Sequence, residues 1–80
     1  MYTVYILYSI STNRYYVGHT QYLDNRLQRH NAGRSKYTKA GIPWKLMYKE
    51  TFETKSEAYK RECYIKAQKS RRFIEKLINE

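Results

Sequence analysis

The sequence predicts a small α/β (α+β) domain: a three-stranded, mainly antiparallel sheet flanked by helices, in the order β-β-α-β-α-α. Three observations carry this. Two tyrosine-rich strand segments, Tyr2 to Tyr8 and Arg14 to His19, stand close together at the start. A third alternating run, Trp44 to Phe52, lies in mid-chain. After it, helix-capping residues at Thr54 and Ser70 each precede apolar residues at helical spacing. At 80 residues the chain is expected to form one domain, 1–80, near the lower end of what folds without staples.

Tyr2 to Tyr8 is apolar on both alternating faces apart from Thr3, the pattern of a central strand covered on both sides. Ser9 to Asn13 is turn chemistry, and the chain returns as a second strand. Placing Tyr5 opposite Tyr16 puts both rings on one face and Ser9 opposite Thr12, with a two-residue tip. A helix is predicted from about Tyr22 to Asn31, capped at Thr20 or nearby and stopped at Gly33. Its Leu23 and Leu27 face the core; Arg26 and His30, also four apart, stack on an adjacent face.

Arg34 to Pro43 reads as a polar, basic loop. In the third strand Trp44, Leu46 and Tyr48 alternate against Lys45, Lys49 and Thr51, so one side is half-exposed. Thr54 to Glu57 is a capping box opening a helix to about Gln68. Ser70 caps a last helix whose Phe73, Ile74, Leu77 and Ile78 make one apolar stripe.

Sixteen Lys and Arg against seven Asp and Glu give a net charge of +9, which points to a polyanion, most often nucleic acid. A membrane surface is the competing partner, but the apolar stretches are short and no signal-peptide pattern precedes them. Cys63 is the only cysteine, which excludes an intramolecular disulfide and fits a reduced, cytoplasmic setting. His19 and His30 lack Cys or His neighbours at zinc spacing, and the three glycines are too scattered to cradle a nucleotide.

Glu62 falls four after Ala58 and three before Ile65, within the helix stripe that should face the sheet. Carboxylates there are paired or metal-bound. Two readings stand: an ion pair with Arg26 or a lysine, and a hard cation such as Mg²⁺ held by one carboxylate, waters and substrate phosphate. Arg26 is either a surface arginine or a charge-assisted phosphate contact. His30 either caps its helix, or hydrogen-bonds a tyrosine hydroxyl or takes a proton. Tyr5 and Tyr16 singly read as packing; together on one face beside Arg26, His30 and Glu62 they read as a site. With a free pKa of ~10, tyrosine needs a nearby cation to act as a base, or else its hydroxyl orients the water. Lys36, Lys39, Lys45, Lys66, Lys69, Arg71 and Arg72 offer flanking phosphate contacts, each of which singly reads as a solvated charge.

These residues, in this order, resemble the GIY-YIG nuclease family. The first motif stands here as Thr3-Val4-Tyr5 and the second as Tyr16-Val17-Gly18. Arg26 and His30 match helix positions where members carry an Arg and a His or Tyr, and Glu62 matches the single metal-binding glutamate. His19 matches a position that is often Lys in the repair members, which implies a phosphate contact. The likeness spans nearly the whole chain and is nearest to the small stand-alone bacterial branch, similar to the GIY-YIG catalytic domain of the repair excinuclease. It implies a central three-stranded antiparallel sheet, one divalent ion (Mg²⁺ or Mn²⁺) on Glu62, and hydrolysis of a phosphodiester bond. The chain departs in two places. Thr3 replaces the first glycine, where it shapes the strand and does no chemistry. No Asn follows Glu62 where several nucleases place a supporting residue, Asn79 lying near the end, which bears on turnover more than on fold.

The function expected is therefore a metal-dependent endonuclease, with DNA favoured over RNA as substrate and DNA repair as its setting. Tyr16, with or without Tyr5, orients or deprotonates water, Arg26 stabilises the phosphate, and His30 bonds a tyrosine or moves a proton. A monomer is favoured, and no fused targeting module is expected. The rival reading is a nucleic-acid-binding accessory protein with a vestigial site, in which exposed Tyr and Trp stack bases while lysines track the backbone. A third is a structural partner of a larger repair or replication assembly.

Overall fold

β1 (Tyr2–Ser9) runs through the middle of the sheet, paired antiparallel with β2 (Arg14–Thr20) on one side and β3 (Trp44–Phe52) on the other. The structure is a computed structural model that describes residues 1–34 and 36–80. Helices α1 (Leu23–Asn31), α2 (Lys55–Ala67) and α3 (Arg71–Asn79) complete the order β-β-α-β-α-α, with a short 3₁₀ turn, Lys39–Gly41, between α1 and β3. The architecture is the one the sequence predicts.

Strand alternation divides β1 between two cores. Val4 and Ile6 point to one face, where Val17 joins them under Ala58 and Ile65 of α2 and Leu77 of α3. Tyr5 and Leu7 point to the other, packed with Trp44, Leu46, and Leu23 and Leu27 of α1. All four of these β1 residues are buried, as a central strand requires.

The hairpin register differs from the expected one. Tyr5 stands opposite Gly18, and Tyr16 opposite Leu7. The slip of two residues arises at the tip, which spans residues 10–13 rather than two. Ser9 organises it: its hydroxyl oxygen accepts the Thr12 N–H at 3.0 Å and the Thr12 hydroxyl at 2.7 Å, and its carbonyl accepts the Asn13 N–H at 2.8 Å. Asn13 takes φ 57°, a left-handed conformation that asparagine tolerates. A two-residue slip preserves the face of every side chain, so Tyr5 and Tyr16 still project together.

A second difference lies in β3. Ile6 pairs with Tyr48 but Leu7 pairs with Leu46, leaving Met47 as an extra residue in a bulge. The bulge resets the alternation. Trp44 and Leu46 go to the Tyr5 face, whereas Tyr48 and Phe52 go to the Val4 face. Strict alternation would have kept Trp44, Leu46 and Tyr48 together.

The helix ends follow their capping chemistry. Thr54 accepts the Glu57 N–H at 3.2 Å, and its hydroxyl donates to the Glu57 carboxylate at 2.9 Å, a variant of the expected box. Ser70 accepts the Phe73 N–H at 3.1 Å. The first residue before α1 is Tyr22, without a side-chain cap; Thr20 instead accepts the Tyr22 N–H at 3.1 Å. Past the α1 C-terminus the chain turns at Gly33, at φ 77°. Among the described residues no helix is long and apolar enough to cross a membrane.

Candidate active site

The two tyrosines meet α1 through His30, which lies one turn after Arg26 and is almost wholly buried. The Tyr5 hydroxyl lies 3.2 Å from His30 Nε2. The Tyr16 ring packs at 5.0 Å from the His30 ring and at 6.3 Å from the Tyr5 ring. Gly18 makes this packing possible. A Cβ there would lie 2.7 Å from the Tyr5 hydroxyl oxygen, closer than atoms tolerate, and 3.2 Å from Tyr16 Cε1, a tight contact. The Tyr-Val-Gly order thus has a steric cause: the Tyr5 ring occupies the space above Gly18.

The electrostatics follow from burial. Burial pushes the Tyr5 phenol far above the ordinary tyrosine range, with Tyr16 adding to the effect, Arg26 opposing it and Glu62 reinforcing it. Tyr5 therefore keeps its proton at neutral pH. Burial pushes His30 down, and the positive charges of Arg26 and Arg29 push it further, so the imidazole is neutral.

Glu62 sits differently from the expectation. It comes from α2, on the Val4 face, and its partner is His19, which alternates with Gly18 along β2 and so points away from Tyr5 and Tyr16. His19 Nδ1 lies 2.5 Å from Glu62 Oε1, and Lys66 Nζ donates to Oε2 at 2.6 Å. The expectation of all five groups on one face is corrected: Tyr5, Tyr16 and His30 gather on one face, and Glu62 stands with His19 on the other. Arg26 borders both sides. With Arg29, Arg34, Lys36 and Tyr37 it joins Tyr16 and His30 around a cavity of about 330 Å³. It also lines a second cavity of about 270 Å³ beside His19, Tyr22 and Lys55. The ion pairs of Glu62 are with His19 and Lys66; none with Arg26 forms.

The flanking cations divide. Lys36 lines the tyrosine-side cavity, and Lys39 lies in the 3₁₀ turn nearby. Lys66 is tied to Glu62. Lys45 and Arg72 are exposed. Arg71 is committed elsewhere: its guanidinium donates to the Asn13 carbonyl and side-chain oxygen, both at 2.7 Å, and lies over the Tyr15 ring. Lys69 lines the same distant region with Ser70 and Ile74. Sequence reasoning missed Arg29, Arg34 and Tyr37. Arg29 precedes His30 and so carried a usable helical signal; the loop residues carried none.

Chemically, the arrangement offers a protonated phenol bonded to a neutral imidazole, a second phenol packed on both, a guanidinium (Arg26) with no carboxylate partner among the described residues, and the Glu62 carboxylate beside His19. Such a set has the chemistry to orient water and neutralise a phosphate.

Comparison with known proteins assigns the chain to a family. A family model described as the GIY-YIG catalytic domain matches residues 1–77. A UPF0213 protein of Bacillus licheniformis is 46% identical over 66 residues, covering 81% of this chain and 67% of that protein. A UPF0213 protein of Staphylococcus aureus is 44% identical over 75 residues, covering 89% of this chain and 90% of the relative. The solution NMR structure of a UPF0213 protein from Bacillus halodurans superposes with a TM-score of 0.61 at 34% identity, covering 99% of this chain and 84% of that one. Motif residues packed ring against ring, a matching domain model and homologous small bacterial proteins lead to one conclusion: this chain belongs to the GIY-YIG family.

Proposed function

We propose that the protein is a metal-dependent endonuclease that hydrolyses phosphodiester bonds in nucleic acid, with DNA as the favoured substrate and the cytoplasm as its place of action. The observation that supports this best is the buried Tyr5–His30 hydrogen bond with Tyr16 packed on both and Arg26 at the rim. A purely structural core of this size would fill the same space with aliphatic side chains and leave no such polar group to satisfy.

The donor chemistry fits a hard divalent ion shared with substrate. Among the described residues no cluster of three or more His, Cys, Asp and Glu forms a closed cage. One carboxylate, Glu62, lies against His19 of the second cavity with its side chain 12% exposed, and Lys66 on its second oxygen is half exposed and free to swing aside. Mg²⁺ held by one protein carboxylate, waters and phosphate oxygens needs no more than this. When bound, the ion supplies charge neutralisation at the phosphate and the leaving oxygen. Glu62 would hold it, with His19 orienting the carboxylate through Oε1. Arg26 binds the phosphate oxygens and counters the charge that builds on them. Tyr16, less buried than Tyr5, is the hydroxyl placed to meet the attacking water. Tyr5, held protonated, orients rather than deprotonates, and His30 holds Tyr5 in place. Lys36 and Lys39 extend the phosphate track on the same side.

One specific observation favours the rival reading of a binding protein without turnover: both Glu62 oxygens are engaged, by His19 and Lys66. One experiment separates the two. Labelled single-stranded, duplex and flap DNA are incubated with and without Mg²⁺ or Mn²⁺, beside Glu62→Gln. Metal-dependent cleavage that Glu62→Gln abolishes, with nucleic-acid affinity retained, supports the nuclease. The half-exposed Lys66 pair contributes only about 0–1 kcal/mol, so any larger fall in melting temperature measures the better-buried His19–Glu62 contact. Salt-dependent binding without cleavage in any condition supports the accessory protein. In either case phosphate contacts dominate, so log affinity should fall against log salt with a slope of about −3 to −5 for roughly 4–6 neutralised phosphates. A slope near zero would assign the +9 charge to another partner.

A further inference from the structure

Tyr37 stands in the basic segment between α1 and β3 and is 92% exposed, the most open aromatic side chain among the described residues. Tyr59 leans on the His19 ring and Tyr64 on the Phe73 ring; among the described residues no ring covers Tyr37. A tyrosine left wholly in water forgoes the burial that makes an aromatic useful to a fold. Its backbone is nonetheless held. The next residue, Thr38, is only 1% exposed. The Thr38 hydroxyl lies 2.8 Å from His30 Nδ1, and its carbonyl accepts the Trp44 Nε1–H at 2.7 Å and the Gly41 N–H at 3.1 Å. An open ring beside a pinned backbone is presented rather than loose, so a ligand that covers it has less chain entropy to overcome.

Tyr37 borders two cavities. One, of about 330 Å³, holds Tyr16, Arg26 and His30 of the candidate site; the other, of about 360 Å³, is lined by Thr12, Arg14 and Trp44 among others. Cations lie on both sides of the ring, and no carboxylate lines either cavity. The sequence carries the same asymmetry: Asp24 is the only acid before Glu50. The positive field of the chain is therefore concentrated on the side where Tyr37 stands. Three polyanions could answer it, and they use the ring differently. A duplex keeps its base faces stacked on one another, so its phosphates meet the cations and the ring stays bare. An acidic peptide likewise satisfies the cations alone. A single strand offers phosphates and an open base face together, and so uses every group present.

We propose that Tyr37 is a stacking platform for an unpaired base next to the phosphate at Arg26, so that the substrate carries a single-stranded segment at the site, and that Arg14 meets the strand beyond the ring. Stacking of this kind tolerates any base, since every base has a π-face. The proposal rests on the nuclease reading for the place of the phosphate, but stacking is measurable without turnover.

The test measures binding of the full chain by fluorescence anisotropy in EDTA, where neither metal nor cleavage enters. The probe is an oligothymidine of about 12 nucleotides, beside the same strand built of abasic sites and a blunt duplex of equal length. The wild type should bind the intact strand roughly 5- to 100-fold more tightly than the abasic one, the scale of one stacked base. Tyr37→Ala should lose that factor on the intact strand. Its duplex affinity and its salt slope should stay unchanged, because the ring neutralises no phosphate. Tyr37→Phe should match the wild type, and Tyr37→Leu should behave as Tyr37→Ala. In cleavage assays the wild type should cut flap DNA in preference to blunt duplex, and Tyr37→Ala should lose the preference. Equal wild-type affinity for intact and abasic strands, an unchanged single-strand affinity in Tyr37→Ala, an equal loss on duplex, or a Tyr37→Leu as strong as the wild type would each overturn the proposal. So would a polyglutamate peptide whose binding depends on Tyr37, or a change of oligomeric state in Tyr37→Ala, which assign the ring to a protein partner or to a second copy. If Tyr37→Ala does not fold, the wild-type comparison of intact and abasic strands decides alone. If no form cleaves but binding follows the expected pattern, the platform stands and the nuclease reading fails. If the wild type cleaves and Tyr37→Ala binds single strands as tightly, the platform fails and the nuclease reading stands.

Discussion

Val4 and Ile6 lie in a cluster whose buried members, Val17, Ala58, Ile65 and Leu77 with them, are all apolar, while His19 and Glu62 beside it stay partly exposed; Tyr5 and Leu7, interleaved with them, share their face with Ser9, His30 and Thr38, all buried and all hydrogen-bonded. The α2–α3 side is held by area removed from water, a non-directional term that tolerates repacking if volume is kept. The α1 side is held by bonds with fixed angles, and each is costly to break because no water replaces it. In a domain this small, alternation along a single strand therefore separates the residues that supply stability from those that hold the candidate chemistry. Glu62 and His19 are the exception, standing on the stability side.

The largest effect should come from the apolar face. Ile65→Ala removes a side chain that is 1% exposed at the centre of the α2 contact, and should cost about 2–5 kcal/mol. Typical domains possess only about 5–15 kcal/mol in all, so denaturant unfolding should show a sharply lower midpoint. Below that midpoint nucleic-acid binding should be unaffected; a binding loss in the still-folded variant would mean that the two faces are coupled.

Gly18→Ala acts on the opposite face and should be smaller in energy. Its Cβ meets the Tyr5 hydroxyl, and the rigid, buried ring has to tilt away from His30. Overpacking of this kind costs about 1–3 kcal/mol. Cleavage should fall more steeply than stability. Wild-type cleavage in Gly18→Ala would show that the Tyr5–His30 bond is not what organises the site.

The smallest effect is one of pH. His30 is neutral in the fold because burial, then Arg26 and Arg29, lower its pKa below the ordinary value of about 6.5. Between the lowered folded pKa and the ordinary one, the unfolded chain binds more protons. The contribution of His30 to stability is therefore complete above about pH 6.5 and is lost as pH falls through its folded pKa. Melting temperatures measured from about pH 8 down to about pH 5 should decline, and His30→Gln should flatten that part of the profile. A rise on acidification would contradict a neutral, buried His30.

Features governed by short-range chemistry were legible in the residues alone. Thr54 and Ser70 cap α2 and α3 because a hydroxyl three residues before a free amide bonds it in any surroundings. The apolar stripe of α3 and the tyrosine pairing of β1 and β2 follow from periods of 3.6 and 2, and an even-numbered slip of register leaves parity untouched. Tyr5, Tyr16, Arg26 and His30 could be picked out for that reason, each sitting at a fixed offset within its own element. The rest came from tertiary contacts. The Ser9 network set the hairpin tip, Met47 broke the alternation of β3, and Glu62 found His19 of β2 instead of Arg26. Thr38 gave no sign at all, since eight residues and a turn separate it from the imidazole it holds. Contacts of this kind depend on where chain closure brings distant groups, and no local period encodes that.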